Sequence, residues 1–161
     1  MKKWLISMMA VATLLLAGSA LADGSITLSP DGSTSTDASV RIDGQTVTIT
    51  QAGTYQIAGT LDDGALIVES AENAKITLVL GGVSIKNSTG AAIQISTADD
   101  VTIELSEGTT NVLQSGEKVD IATATESEEA SGGALQSKAD LKIKGRGSLT
   151  VLGYLNNGIL C

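Results

Sequence analysis

Three segments of this chain repeat the same order of elements, and that repetition limits the possible folds more than any other feature. AKITLVL at 74–80, GVSI at 82–85 and GAAIQIS at 90–96 make the first copy. DVTIEL at 100–105, GTTNVL at 108–113 and GGALQS at 132–137 make the second. DLKIKG at 140–145, GSLTVL at 147–152 and NGIL at 157–160 make the third, and GALIVES at 64–70 closes an earlier partial copy. Each unit holds three short runs of Val, Ile, Thr and Leu separated by Gly, Asn, Asp and Ser, the composition of strands joined by turns. Ile76 and Val101 are 25 residues apart, whereas Val101 and Leu141 are 40 apart. The excess falls in an acidic loop at 115–131 carrying Glu117, Asp120, Glu126, Glu128 and Glu129.

A single unit of this kind cannot bury its own apolar face, but stacked units form a continuous core. The period therefore predicts an all-β solenoid with three short strands per coil, its coils spaced like strands in a sheet. Strand alternation turns Ile76, Leu78 and Leu80 inward. Val101, Ile103 and Leu105 stack on them, with Leu141 and Ile143 beyond. Thr77, Thr102 and Lys142 then share one outward level. A β-sandwich would also supply short strands, but not three units with their elements in one order. The nonapeptide repeats of calcium-binding β-rolls are absent.

The N-terminus predicts export. Lys2 and Lys3 precede an apolar run from Trp4 to about Leu16, and Ala20-x-Ala22 supplies a small-residue cleavage pattern. Residues 1–22 read as a signal peptide, since the run is shorter than the ~20 residues of a membrane-spanning helix. Residues 23–44 are expected to form an N-terminal cap or linker, and 45–161 the repeat domain, which reads as incomplete. Without 1–22, which hold two of the ten Lys and Arg and none of the 18 acids, 139 residues remain with a formal charge of −10. That balance argues against nucleic acid, which requires clustered Lys and Arg, and is compatible with divalent cations. No membrane association is expected after cleavage, and the expected location is secreted or cell-surface. Cys161, the only cysteine and the last residue, permits no intramolecular disulfide.

Three runs resemble a known family: AGTYQIAGTLDDG at 52–64, ADDVTIELSEGTTN at 98–111 and SKADLKIKGRGSLTV at 137–151. Together they are similar to the bacterial carbohydrate-binding domain family typified by a clostridial cellulose- and pectate-binding β-helix protein, over about residues 40–159. The resemblance implies a right-handed, single-stranded parallel β-helix similar in shape to pectate lyases, bound calcium, and binding of plant-type or acidic polysaccharide without cleavage. Two departures stand out. The chain stops at Cys161 within a third-strand element where family members continue, and Ala139 stands where the family often has an Asp. The stop predicts an open apolar edge and a chain that is marginally stable or aggregates alone.

Calcium (Ca2+) is expected, if anywhere, at Asp99, Asp100 and Asp140. Asp100 and Asp140 fall in equivalent turns and should stack, and stacked carboxylates repel unless a cation or donors intervene. The competing role is structural, since Asp bonds its own turn backbone. Asp62 and Asp63 form a second such turn. On the outer face, Lys142 and Arg146 are candidates for holding the carboxylates of a uronate polymer, while Lys144 is expected to pair with Glu104 across the strands. Tyr154 is the candidate aromatic contact for a sugar ring, although Tyr154 and Tyr55 could equally cover a core end. Asn87, Asn111 and Asn156 or Asn157 could form a structural amide ladder.

The expected partner is thus a polysaccharide such as pectate or cellulose, bound without catalysis. No catalytic residue is assigned: a nucleophilic triad lacks a His, and no carboxylate pair across a cleft stands out. A pectate-lyase-like site at Lys142 or Arg146 beside Asp140 would lack a groove wall. A surface adhesin or scaffold that binds no sugar shares the same signal and fold. An ice-binding face would need unbroken Thr rows, and Lys142 interrupts the row of Thr77 and Thr102.

Overall fold

Alternating apolar and polar residues in short runs cannot hide their apolar face within one strand, so each run here pairs on both sides wherever a neighbour exists. The computed structural model describes residues 24–116, 133–154 and 157–161. The signal-peptide segment 1–22 and the acidic residues 117–129 lie outside the described residues, as does Asn156. Among the described residues there is no helix, and fourteen strands form two sheets.

The larger sheet contains β1 (Gly24–Leu28), β2 (Thr34–Ser35), β5 (Gly53–Leu61), β7 (Lys75–Asn87), β9 (Asp100–Leu105), β10 (Thr110–Ser115), β12 (Asp140–Gly145) and β13 (Ser148–Gly153). The smaller contains β3 (Val40–Asp43), β4 (Thr46–Ile49), β6 (Ala65–Glu69), β8 (Ile93–Thr97), β11 (Gly133–Ser137) and β14 (Asn157–Leu160). From β4 onward the chain alternates between the sheets, and each circuit lies in parallel register on the one before. The long strand β7 covers what β9 and β10 cover in the next circuit and β12 and β13 in the last.

The apolar columns follow the expected alternation. Ile76, Leu78 and Leu80 pair in register with Val101, Ile103 and Leu105, and all six are buried. Leu141 and Ile143 continue the columns. Tyr55 stacks between Gly24 and Leu78 and is wholly buried, so it is a core residue. Gly24 accommodates it: a Cβ there would come within 3.0 Å of the Tyr55 ring.

The two sheets are mixed rather than purely parallel. β1 pairs antiparallel with β2, and β3 antiparallel with β4. Both exceptions lie at the segment expected to be a cap or linker, which is built into the sheets through β1 on β5. The β3–β4 hairpin turns through Gly44, whose φ of 58° is the left-handed conformation glycine favours in tight hairpins. The boundary drawn between residues 44 and 45 cuts this turn. Asp43-Gly44 is a recognisable hairpin signal that the repeat reading passed over.

The expected amide ladder does not form. Asn87 lies opposite Ser115, and Asn111 opposite Leu149, so the two amides belong to different levels. Asn111 instead bonds backbone groups of the neighbouring circuits, and Asn87 serves its own turn. The Asn87 side chain accepts from the N–H of Gly90 (3.0 Å) and donates to the Ala91 carbonyl (2.9 Å).

Candidate functional site

The outward positions of the larger sheet form rows across the circuits, because residues two apart on a strand share a face. One row runs Thr54, Thr77, Thr102, Lys142, and the next runs Ser25, Gln56, Val79, Glu104, Lys144. Lys75, Asp100 and Asp140 form a third at the strand starts.

At the last circuit this face is cationic. Lys142, Lys144 and Arg146 are all exposed. Lys144 Nζ meets Glu104 Oε2 at 3.0 Å, the expected cross-strand pair, and Arg146 reaches Glu107 at 3.8 Å. Both pairs are solvent-exposed and worth about 0–1 kcal/mol. Lys142 forms no ion pair among the described residues. Tyr154 is exposed, but it follows β13, whose six residues span about 20 Å. The structure therefore groups Lys142 with Arg146 and leaves Tyr154 a strand's length away.

Asp100 and Asp140 stack in register at the starts of β9 and β12, as expected. Lys75 occupies the adjoining position on β7, so a cation stands in the same row as the two carboxylates. The Asp99 and Asp100 N–H groups donate to the Ala74 carbonyl, and the Asp140 N–H to the Asp99 carbonyl. Calcium takes six to eight oxygen ligands. Carboxylate oxygen is the right donor, yet among the described residues no group of three or more His, Cys, Asp or Glu side chains converges. A cation here would need further oxygens from outside these side chains. In the other candidate turn, Asp63 is committed to structure. It accepts from the Ser88 N–H at 2.8 Å and the Ser88 hydroxyl at 2.9 Å. These bonds, helped by the charge of Lys86, hold its carboxyl below the usual range.

The sequence reading missed a depression of about 290 Å³ on the same face, over β1, β5 and β7. Its cause is a β-bulge. Ile57 pairs with Leu80 and Gly59 with Val83, so Gly81 and Gly82 together oppose Ala58. A bulge bends its strand, and Ala58 and Gly81 carry almost no side chain to fill the bend. Asn111, fully buried, holds the bulge in place. Its Oδ1 accepts from the N–H groups of Gly82 (3.1 Å) and Val83 (3.0 Å), while Nδ2 donates to the Ser148 carbonyl (3.0 Å). Ser25, Thr27, Gln56, Val79 and Ser106 rim the depression. The visible signal was Gly81-Gly82 within an otherwise regular strand pattern, which marks a bulge. The hollow itself depends on the neighbouring circuits.

Comparison with known proteins agrees on one family. The family model described as "Carbohydrate-binding domain-containing protein" matches residues 43–161. A protein of that description from Acetivibrio thermocellus is 38% identical over 113 residues, covering 70% of this chain and 39% of that protein. A solved structure described as a polysaccharide lyase-like protein from C. thermocellum, a gadolinium derivative, superimposes with a TM-score of 0.72 at 32% identity. It covers 84% of this chain and 54% of that one. The chain thus spans less than two thirds of the length of either relative.

Proposed function

This chain belongs to the family of carbohydrate-binding domain-containing proteins, and from that membership we propose that it is a secreted, non-catalytic polysaccharide-binding module whose cationic strip on β12 takes acidic, plant-type polymers. The observation that carries the reading is Lys142. It is exposed and without an ion pair among the described residues, it shares the outer face of β12 with Lys144, and Arg146 follows at the strand's end. Exposed cations on a flat outer face, one of them without an ion pair, suit the regularly spaced carboxylates of a uronate polymer. Tyr154 extends the same contact farther along the circuit.

Calcium assistance is part of the proposal. The stacked Asp100 and Asp140, with Asp99 beside them, offer hard oxygens but too few for a complete shell, so turn carbonyls, water or the polymer's own carboxylates supply the rest. The structural relative is described as a gadolinium derivative, and gadolinium, like calcium, is a hard cation. We further propose that the circuits wind as a right-handed, single-stranded parallel β-helix. The alternation between two sheets with parallel register supports this, as does the near-universal right hand of parallel crossovers. An experimental structure with a left-handed crossover would sink that part.

The test is retention on a panel of immobilised polysaccharides, pectate and cellulose included, with calcium and then with chelator. The protein is recovered from outside the producing cell, and an intact mass beginning at Asp23 reports export. Retention on pectate that chelator abolishes, with no unsaturated uronate released, is the expected result. No retention by folded protein under either condition overturns the reading and favours a scaffold. Release of unsaturated products would make the chain a lyase.

A further inference from the structure

We infer that the depression over Ala58 and Gly81 is a second glycan-contact site, selective for uncharged pyranose units and distinct from the cationic strip. The inference rests on the polysaccharide-binding reading and adds a ligand class to it. Among the described residues no ionisable side chain lines the depression. Its rim presents the hydroxyls of Ser25, Thr27 and Ser106 and the amide of Gln56, and none of these side chains makes a hydrogen bond within the protein among the described residues. Val79 and Ala58 add apolar surface among them. A pyranose ring has this same mixed character, with C–H faces and a rim of hydroxyls, whereas a uronate carboxylate would find no cation there.

The volume of about 290 Å³ lies at the lower edge of the ~300–1,000 Å³ typical of ligand sites. The shape is pre-formed, because Asn111 fixes the bulge from within the core, and a pre-formed site avoids ordering costs on binding. The position also fits one ligand touching both zones. Val79, on the rim, shares its row with Glu104 and Lys144, so the strip begins about 10 Å away, two strand spacings across the sheet. A polymer lying across the strands meets the uncharged hollow first and the cations next.

The experiment is calorimetric titration of the whole chain with cellohexaose and, separately, with a hexamer of galacturonate. Three variants are compared with the parent: Gly81→Tyr, Gln56→Ala, and Lys142→Ala combined with Arg146→Ala. Gly81 can accept a side chain, since its φ is not positive and an added Cβ meets only the Ile57 carbonyl at 3.6 Å. Gly81→Tyr fills the hollow and is expected to weaken cellohexaose at least about tenfold. Gln56→Ala removes one exposed hydrogen-bonding group and is expected to weaken it about three- to tenfold. Both leave galacturonate within about twofold, and the double cationic variant does the reverse. Cellohexaose affinity unchanged in both hollow variants overturns the inference. If Gly81→Tyr fails to fold, Gln56→Ala decides alone. Parent binding to galacturonate but not to cellohexaose overturns the hollow and leaves the polysaccharide reading standing. Binding to neither overturns both.

Discussion

Tyr55 and Ile143 occupy the same apolar column, three strand spacings apart with Leu78 and Ile103 between them, yet Tyr55 is 0% exposed and Ile143 39%. Their local sequences alternate in the same way. What differs is the number of neighbours. β5 is sandwiched between β1 and β7, and the first circuits are closed by the antiparallel strands β2 and β3. Among the described residues β12 pairs only with β9, and β14 only with β11. Ile143, Ile159 and Leu160 are accordingly exposed. In a stacked fold a residue's burial is a property of the circuits on both sides of it, and hydropathy alone does not report it.

The largest test of this contrast is a pair of truncations. Tyr55→Ala should cost about 3–5 kcal/mol, as for other large buried aromatics, because the hole cannot collapse between two paired strands. It also removes the bond from the Tyr55 hydroxyl to the Gln51 carbonyl (3.1 Å). Ile143→Ala should cost less than about 1 kcal/mol, since most of the truncated surface already faces solvent. Denaturant midpoints measure both. Similar losses would mean that the last circuit is covered in solution, by another copy of the chain for example.

A smaller effect separates the two ends at their corners. Gly59 and Gly145 both have positive φ, 108° and 117°, and a Cβ on either would strike a backbone carbonyl of the adjoining strand, Leu28 and Leu105 respectively. Gly59→Ala should cost about 1–3 kcal/mol. Gly145→Ala should cost less, because β12 has one partner among the described residues and can shift away from it. Equal costs in a thermal melt would show that the last circuit is held as firmly as the first.

The smallest effect depends on pH. Asp37, at the closed end, accepts from the hydroxyl and the N–H of Ser39, both at 2.7 Å, and these bonds hold its carboxyl below its ordinary value of 3.8. A carboxyl whose folded value is depressed stabilises above the unfolded value, and that contribution is lost as pH falls through the lower folded value. Asp37→Asn should therefore lower stability slightly at neutral pH and change little once the pH is below the folded value, so that the variant's stability depends less on pH below about 3.8. A loss of the same size in acid as at pH 7 would show that Asp37 acts through packing instead.

Much of this architecture was legible in the chain itself. The inward columns, the Lys144–Glu104 pair and the stacked Asp100 and Asp140 all follow from alternation and a repeat period, which are local rules applied several times over. The candidate residues Lys142 and Arg146 were legible for the same reason, as outward positions on one strand and its turn. Tyr154 was not placed by that logic, because the length of β13 carries it away from them.

The rest required neighbouring circuits in place. Asn111 holds Gly82 and Val83 across 29 and 28 positions of sequence, and no local pattern announces such a bond. The hollow over Ala58 exists because one circuit has an extra residue where its neighbour has none, a difference that appears only in register. The exposure of Ile143 likewise depends on what lies beside β12. The sequence alone determined the repeat and the direction each side chain faces, because side-chain alternation is a property of one strand. Only the tertiary structure decided which of those faces are covered, bent or open, because burial and curvature are properties of strands in contact.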